Sequence, residues 1–219
     1  MLQALKNAWR LPDVRNKLLF TGFILIVYQF AAHVPVVGVD RFALQEAMTG
    51  NSSAGNLIQV LNLLSGGAVA NFSVIANGVY PYITASIIFQ LLVPIVPALE
   101  QMQREPGGQD KINRYTYYLA IPMAVLQALG QISIFNLAAT STGGSTQIIP
   151  GFGENILLTV SVLTTMTAGT MFAIWLGELI TEEGIGNGIS IIIFAGIVAQ
   201  APQRLIQLLT SQPDRSVYN

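Results

Sequence analysis

Four carboxylates, Glu154, Glu178, Glu182 and Glu183, sit at the edges of long uncharged runs, and a lone histidine, His33, lies near the end of another. Carboxylates buried in a membrane would point to proton or ion coupling. At run boundaries they read instead as solvated interfacial charge. His33 reads as packed or interfacial, because a proton relay would need a second titratable partner beside it. An intramembrane protease would need a Ser/His pair, two aspartates or a His-Glu-x-x-His helix, and the spans hold none of these. The absence of cysteine removes disulfides, thiolate metal sites and cysteine nucleophiles. "GIGNGIS" at 184–190 has alternating glycines, but no strand precedes it, so a phosphate-binding loop is not expected. It reads as a flexible turn feeding a helix. No catalytic residue, metal ligand or cofactor is expected, and the chain does not read as an enzyme.

What the apolar runs offer is aliphatic pairs at helical spacing beside breaks. Val79 and Ile83 are four apart across Pro81, and Ile189 and Ile193 are four apart after the glycine turn. Such pairs share one helix face. Periodicity alone reads them as lipid-facing or core residues.

The elements that carry them follow from charge spacing. Of 219 residues, 52% are hydrophobic and 10% charged, against about 25% charged in an ordinary soluble domain. Mean hydropathy is +0.56. A surface so poor in charge suits lipid rather than water. Net charge is −1, which argues against a nucleic-acid partner. Uncharged runs extend over 18–39, 47–99, 115–153, 155–177 and 184–203. A membrane span needs about 20 apolar residues, so spans are expected over 18–38, 76–97, 115–139, 155–178 and 186–209. The first residues, "MLQALKNAWRLPDVRNK", show no Ala-x-Ala pattern after their apolar run, so no removable signal peptide is expected.

Orientation follows from the basic residues. With the N-terminus inside, seven lie inside (Lys6, Arg10, Arg15, Lys17, Arg104, Lys111, Arg114) and three outside (Arg41, Arg204, Arg215). That places 1–17 in the cytosol and the tail 210–219 outside, although the loop "GELITEEG" is acidic.

The second uncharged run is 53 residues long, far more than one span requires. Within it, "LSGGAVANFSVIANGVYPYI" at 64–83 is interrupted by Gly66, Gly67, Asn71, Ser73, Asn77, Gly78 and Pro81. Irregular or polar backbone survives at membrane depth only against protein or a watery cavity. Composition leaves two readings open: a half-helix in a cavity, or a helix resting on the outer surface. Pro81 could also be an ordinary kink.

Longer motifs carry more. "SGGAVANFSVIANGVYPYITASIIFQLL" resembles the second-helix region of the SecY family, the central channel subunit of the bacterial protein-export translocon. "REPGGQDKINRYTYY" is similar to that family's loop before the third helix. "WLGELITEEGIGNGISIIIFAGIVA" is similar to its fourth loop and fifth helix, and "PVVGVD" follows the first span as it does there. Tyr80, Thr84 and Glu183 depart from the usual methionine, serine and basic residue.

The resemblance implies an all-α polytopic membrane protein. It would have five transmembrane helices and a short plug half-helix at about 64–75, forming 18–209 into one half of a ten-helix inverted-repeat channel. An odd number of spans reverses orientation, as inverted repeats require. By resemblance the plug comprises Gly66, Gly67, Ala68, Val69, Ala70, Asn71, Phe72, Ser73, Val74 and Ile75. Val79, Ile83, Ile189 and Ile193 match pore-ring positions, and Thr84, Ile87 and Gln90 match one wall of a lateral gate. The implied function is conduction of unfolded secretory polypeptides across the membrane and release of membrane proteins into it. Implied partners are SecE and SecG in the bilayer, the SecA motor and the ribosome on the cytosolic side, and the translocating polypeptide with its signal sequence. No nucleic acid is implied except through the ribosome. The implied location is the inner (plasma) membrane. Half of an inverted-repeat secondary transporter, or a non-catalytic assembly factor, are the competing readings.

Overall fold

A computed structural model describes residues 12–49, 58, 62, 65, 67–141 and 147–210, with backbone alone for 46–49, 139–141 and 200–210. The segment before residue 12, Gly66 and the tail from 211, all assigned above, lie outside the described residues. Among the described residues the chain forms seven helices and no strand.

Helix α1 (Pro12–Ala31) opens on proline with Asp13 in its first turn, which suits the preset φ and the positive end of a helix. Pro35 follows and bars its continuation. Helix α2 (Arg41–Thr49) is capped by Asp40, whose Oδ1 accepts from the Phe42 and Ala43 amides at 2.8 and 3.5 Å. Helix α3 (Tyr80–Leu92) carries Pro81 in its first turn, so that proline starts the helix instead of kinking one. Pro94 ends α3, and Pro97 opens the short helix α4 (Pro97–Arg104), which turns by 101° from it. Helices α5 (Gly108–Ser141), α6 (Ile156–Glu183) and α7 (Gly188–Thr210) complete the set.

Among the described residues two of these are long and apolar enough to cross a membrane, α5 over Gly108–Ala138 and α6; the bent α3–α4 pair makes a third if it counts as one span. Helix α1 takes Asp13, Arg15 and Lys17 into its first turns, and the part of α7 with described side chains, Gly188–Ala199, is apolar. The chain is thus a polytopic helical membrane protein.

Helices α2, α3 and α4 pack on α5, α5 on α6 and α6 on α7, while α1 crosses α6 and α7. The α6–α7 turn is tied rather than loose. Gly188 N donates to Thr181 Oγ1 at 2.9 Å and Ser190 N to Asn187 Oδ1 at 3.0 Å. A Cβ at Gly188 would fall 1.9 Å from the Gly177 carbonyl oxygen, so glycine is what lets the two helices meet.

The segment expected as a half-helix takes another form. Residues 67–79 run through successive turns, with Gly67, Phe72 and Gly78 at φ of 92°, 43° and 55°. A left-handed residue breaks the helical repeat, and three within twelve positions leave no room for one. The polar backbone is bonded all the same. Val36 N donates to Phe72 O at 3.0 Å and Val74 N to Val34 O at 2.9 Å, flanking an antiparallel bridge between Pro35 and Ser73. Asn62 Oδ1 takes the Ala70 amide at 2.8 Å, and Ser65 Oγ takes that of Val69 at 3.2 Å. Side chains from this segment are buried on both sides. Val69, Phe72 and Ala76 enter one apolar cluster with Ile132, Phe135, Ile148 and Met166. Ala68, Ile75 and Val79 enter another with Ile24, Tyr28, Leu176 and Ile180.

Candidate functional site

The four aliphatic positions come from two helix starts. Val79 caps α3, and Ile83 lies one turn further, its amide bonded to the Val79 carbonyl at 3.2 Å. Ile189 and Ile193 occupy the first turns of α7. Val79 belongs to the second apolar cluster with Ala68 and Ile75 of the turn segment, and Ile83, Ile189 and Ile193 pack against that cluster. Val79 is 4% exposed, whereas Ile83, Ile189 and Ile193 are half-buried. Ile192, fully buried in the same cluster, was not singled out by sequence, because adjacent isoleucines in "GISIII" look alike.

The polar side chains of the broken stretch have separate fates. Asn77 is buried and donates from Nδ2 to the Ala124 carbonyl on α5 at 3.2 Å. Ser73 is wholly buried and its Oγ has no partner. Asn71 is exposed and lines a cavity of about 410 Å³ with His33, Arg41 and Gln45.

The three positions matched to a gate wall divide as well. Thr84 Oγ1 donates to the Tyr80 carbonyl at 3.1 Å and accepts from Gln127 Nε2 of α5 at 3.4 Å. Ile87 is 50% exposed, and Gln90, also exposed, reaches only Ser86 Oγ, at 3.3 Å. The structure therefore joins Thr84 to α5, leaves Ile87 exposed and sets Gln90 on a cavity of about 320 Å³ with Glu100 of α4 and Ile112 of α5.

Sequence reasoning passed over the partner side. Gln127 and Gln131, one turn apart on α5, line a cavity of about 400 Å³ with Asn77, Tyr80, Leu126 and Ile134. Gln131 is buried and its Oε1 has no partner. The sequence does show two glutamines at i and i+4 within the uncharged part of that helix, but not their burial.

Glu178, expected as interfacial charge, is half-buried beside Tyr117 and borders a polar cavity. The Tyr117 ring lies 5.3 Å from that of Tyr82, one residue before Ile83. These three side chains line a polar cavity of about 780 Å³ that also takes in Arg114, Thr181, Asn187 and Ile189. A polar, mixed-charge space thus abuts an aliphatic cluster, with Ile189 common to both. Among the described residues no group of histidines and carboxylates could hold a metal ion.

The SecY family profile matches residues 73–218. A protein translocase subunit SecY of Mycobacterium tuberculosis is 41% identical over 217 residues, covering 97% of this chain and 48% of the relative. Those of Streptomyces scabiei and Streptomyces coelicolor are 42% and 43% identical over 208 residues, each covering 94% of this chain and 47% of the relative. The chain spans about half the length of the curated relatives it matches. With two thirds of its residues inside the family profile, and this identity sustained almost end to end, the chain belongs to the SecY family.

Proposed function

We propose that this chain is the first half of a protein-conducting channel, five spans with the N-terminus in the cytosol of a cell whose inner membrane it occupies. The relatives' name, protein translocase subunit, supports translocation of polypeptide over solute transport. The observation that carries the reading is one cluster. Val79 is buried there with Ala68 and Ile75 of the turn segment, and Ile83, Ile189 and Ile193 from the two helices pack against it.

The mechanism follows from what these side chains lack. An aliphatic collar offers a bare ion no ligand, and a constriction of this kind closes by dewetting. It equally offers no hydrogen-bond partner to a passing peptide, so a chain of any sequence slides without being held. Residues 67–75 are the plug in this reading. They seal the collar from one side while the polar cavity at Tyr117 and Glu178 forms the wet approach on the other. Thr84, with Gln127, stands on the gate wall, and Ile87 and Gln90 face the opposing half. That half supplies the rest of the ring. SecE and SecG complete the membrane assembly, with SecA and the ribosome as cytosolic partners. The reading is tested by photo-crosslinking a polypeptide stalled in transit to the four collar positions.

A further inference from the structure

We propose that Gly169, in the middle of α6, is the seat of the plug, a positioning residue that sets how far the channel rests closed. This inference rests on the plug reading above and adds the surface that holds it. A Cβ built on Gly169 would lie 2.1 Å from the Val74 carbonyl oxygen, 2.6 Å from its carbon and 2.7 Å from Val74 Cγ1. The obstacle is backbone, which cannot swing aside like a flexible side chain. Opposite, the Val74 amide is bonded to Val34 O at 2.9 Å. The segment is therefore clamped between the 34–36 strip and bare helix backbone.

The face of α6 around this notch is smooth. Met166, Thr170 and Ala173 are wholly buried beside Gly169, and the Thr170 hydroxyl turns back to the Met166 carbonyl at 3.0 Å. Fit, not bonding to α6 side chains, holds Val74 in place, which suits an element that must leave and return. Glycine inside a helix is unfavourable relative to alanine, so its presence here calls for a packing reason. Gly130, inside α5, shows the contrast: a Cβ there meets nothing within 4 Å.

The test uses the full-length channel with its complementary half, reconstituted in planar bilayers. Gly169→Ala should raise resting ion leak about tenfold, the population shift that overpacking of ordinary size produces. Gly130→Ala should leave it unchanged. In a channel whose residues 67–75 are replaced by a short flexible link, Gly169→Ala should add nothing, because the clashing carbonyl is gone. An equal added leak with and without the segment would make Gly169 a general packing residue and overturn the proposal. Ile83→Asn separates the two levels. If it leaks while Gly169→Ala stays tight, the seat is wrong and the channel reading stands; if neither leaks, the channel reading itself fails. Should Gly169→Ala not accumulate, accumulation is the readout: rescue by the same replacement of 67–75 supports the seat, and failure to rescue overturns it.

Discussion

If residues 67–75 are the plug as proposed, Phe72 is a side chain whose loss should release them. Its side chain is 0% exposed and meets Phe135 edge-on, with ring centroids 5.3 Å apart and planes at 86°. It does this from a backbone at φ 43°, unusual for a residue with a side chain. Phe72→Ala deletes the ring and leaves a cavity against Ile132, Phe135 and Met166, a change that costs about 3–5 kcal/mol in ordinary cores. Alanine retains a Cβ, so the backbone strain is not relieved. At about 1.4 kcal/mol per tenfold, the low end moves the seated-to-displaced ratio by about 100-fold toward displacement. Because the chain has no cysteine, Ser73→Cys places one thiol at a position that is 0% exposed. Its reaction rate with an impermeant maleimide reads the displaced population of the full-length channel. Phe72→Ala should raise that rate at least about 100-fold by the same conversion. A thiol at Val37, which is 79% exposed, should react equally in both backgrounds. A rate at position 73 unchanged by Phe72→Ala would refute the idea that this ring holds the segment.

Gln131→Leu should be tolerated or raise thermal stability by about 1 kcal/mol, since it removes a buried oxygen that has no partner. Gln131→Glu at the same site should lower it by several kcal/mol, read in one melting series. Single thiols replacing Gln109 and Gly153 should label from opposite faces of sealed vesicles, Gln109 from the cytosolic side. Labelling of both from one face would reverse the orientation drawn from the basic residues.

Much of the fold is written in charge spacing. Helix α6 fills the uncharged run after Glu154 and carries on through Glu178 to Glu183. Helix α5 covers 115–141 of another but starts earlier, at Gly108, taking Asp110, Lys111 and Arg114 into its first turns. The break before α3 was also legible, as glycine, asparagine and proline within an apolar run. Its form was not. Whether 67–79 would coil or turn depends on Phe72 adopting a positive φ, and that is imposed by Phe135 and the 34–36 strip, not by local propensity. The 101° bend after Leu92 hung on Pro94 and Pro97, which read as easily as the end of a straight span. Periodicity placed Val79 with Ile83 and Ile189 with Ile193, and the two pairs were joined only by resemblance. They come to one cluster because α1, α6 and the turn segment supply its buried side chains. Gln131 was missed because burial, which makes it notable, is a tertiary property.

The central claim is that these four aliphatic side chains surround a polypeptide in transit. A photo-reactive amino acid placed singly at 79, 83, 189 and 193 of the full-length channel tests it, with a secretory chain stalled by a folded domain at its end. Positions 157 and 194, where Leu157 and Phe194 are 86% and 66% exposed, serve as lipid-facing controls. Adducts to the stalled chain are expected from all four collar positions, absent without a stalled chain, and lipid adducts alone from 157 and 194. Adducts of equal yield from collar and control positions, or none from the collar, would contradict it.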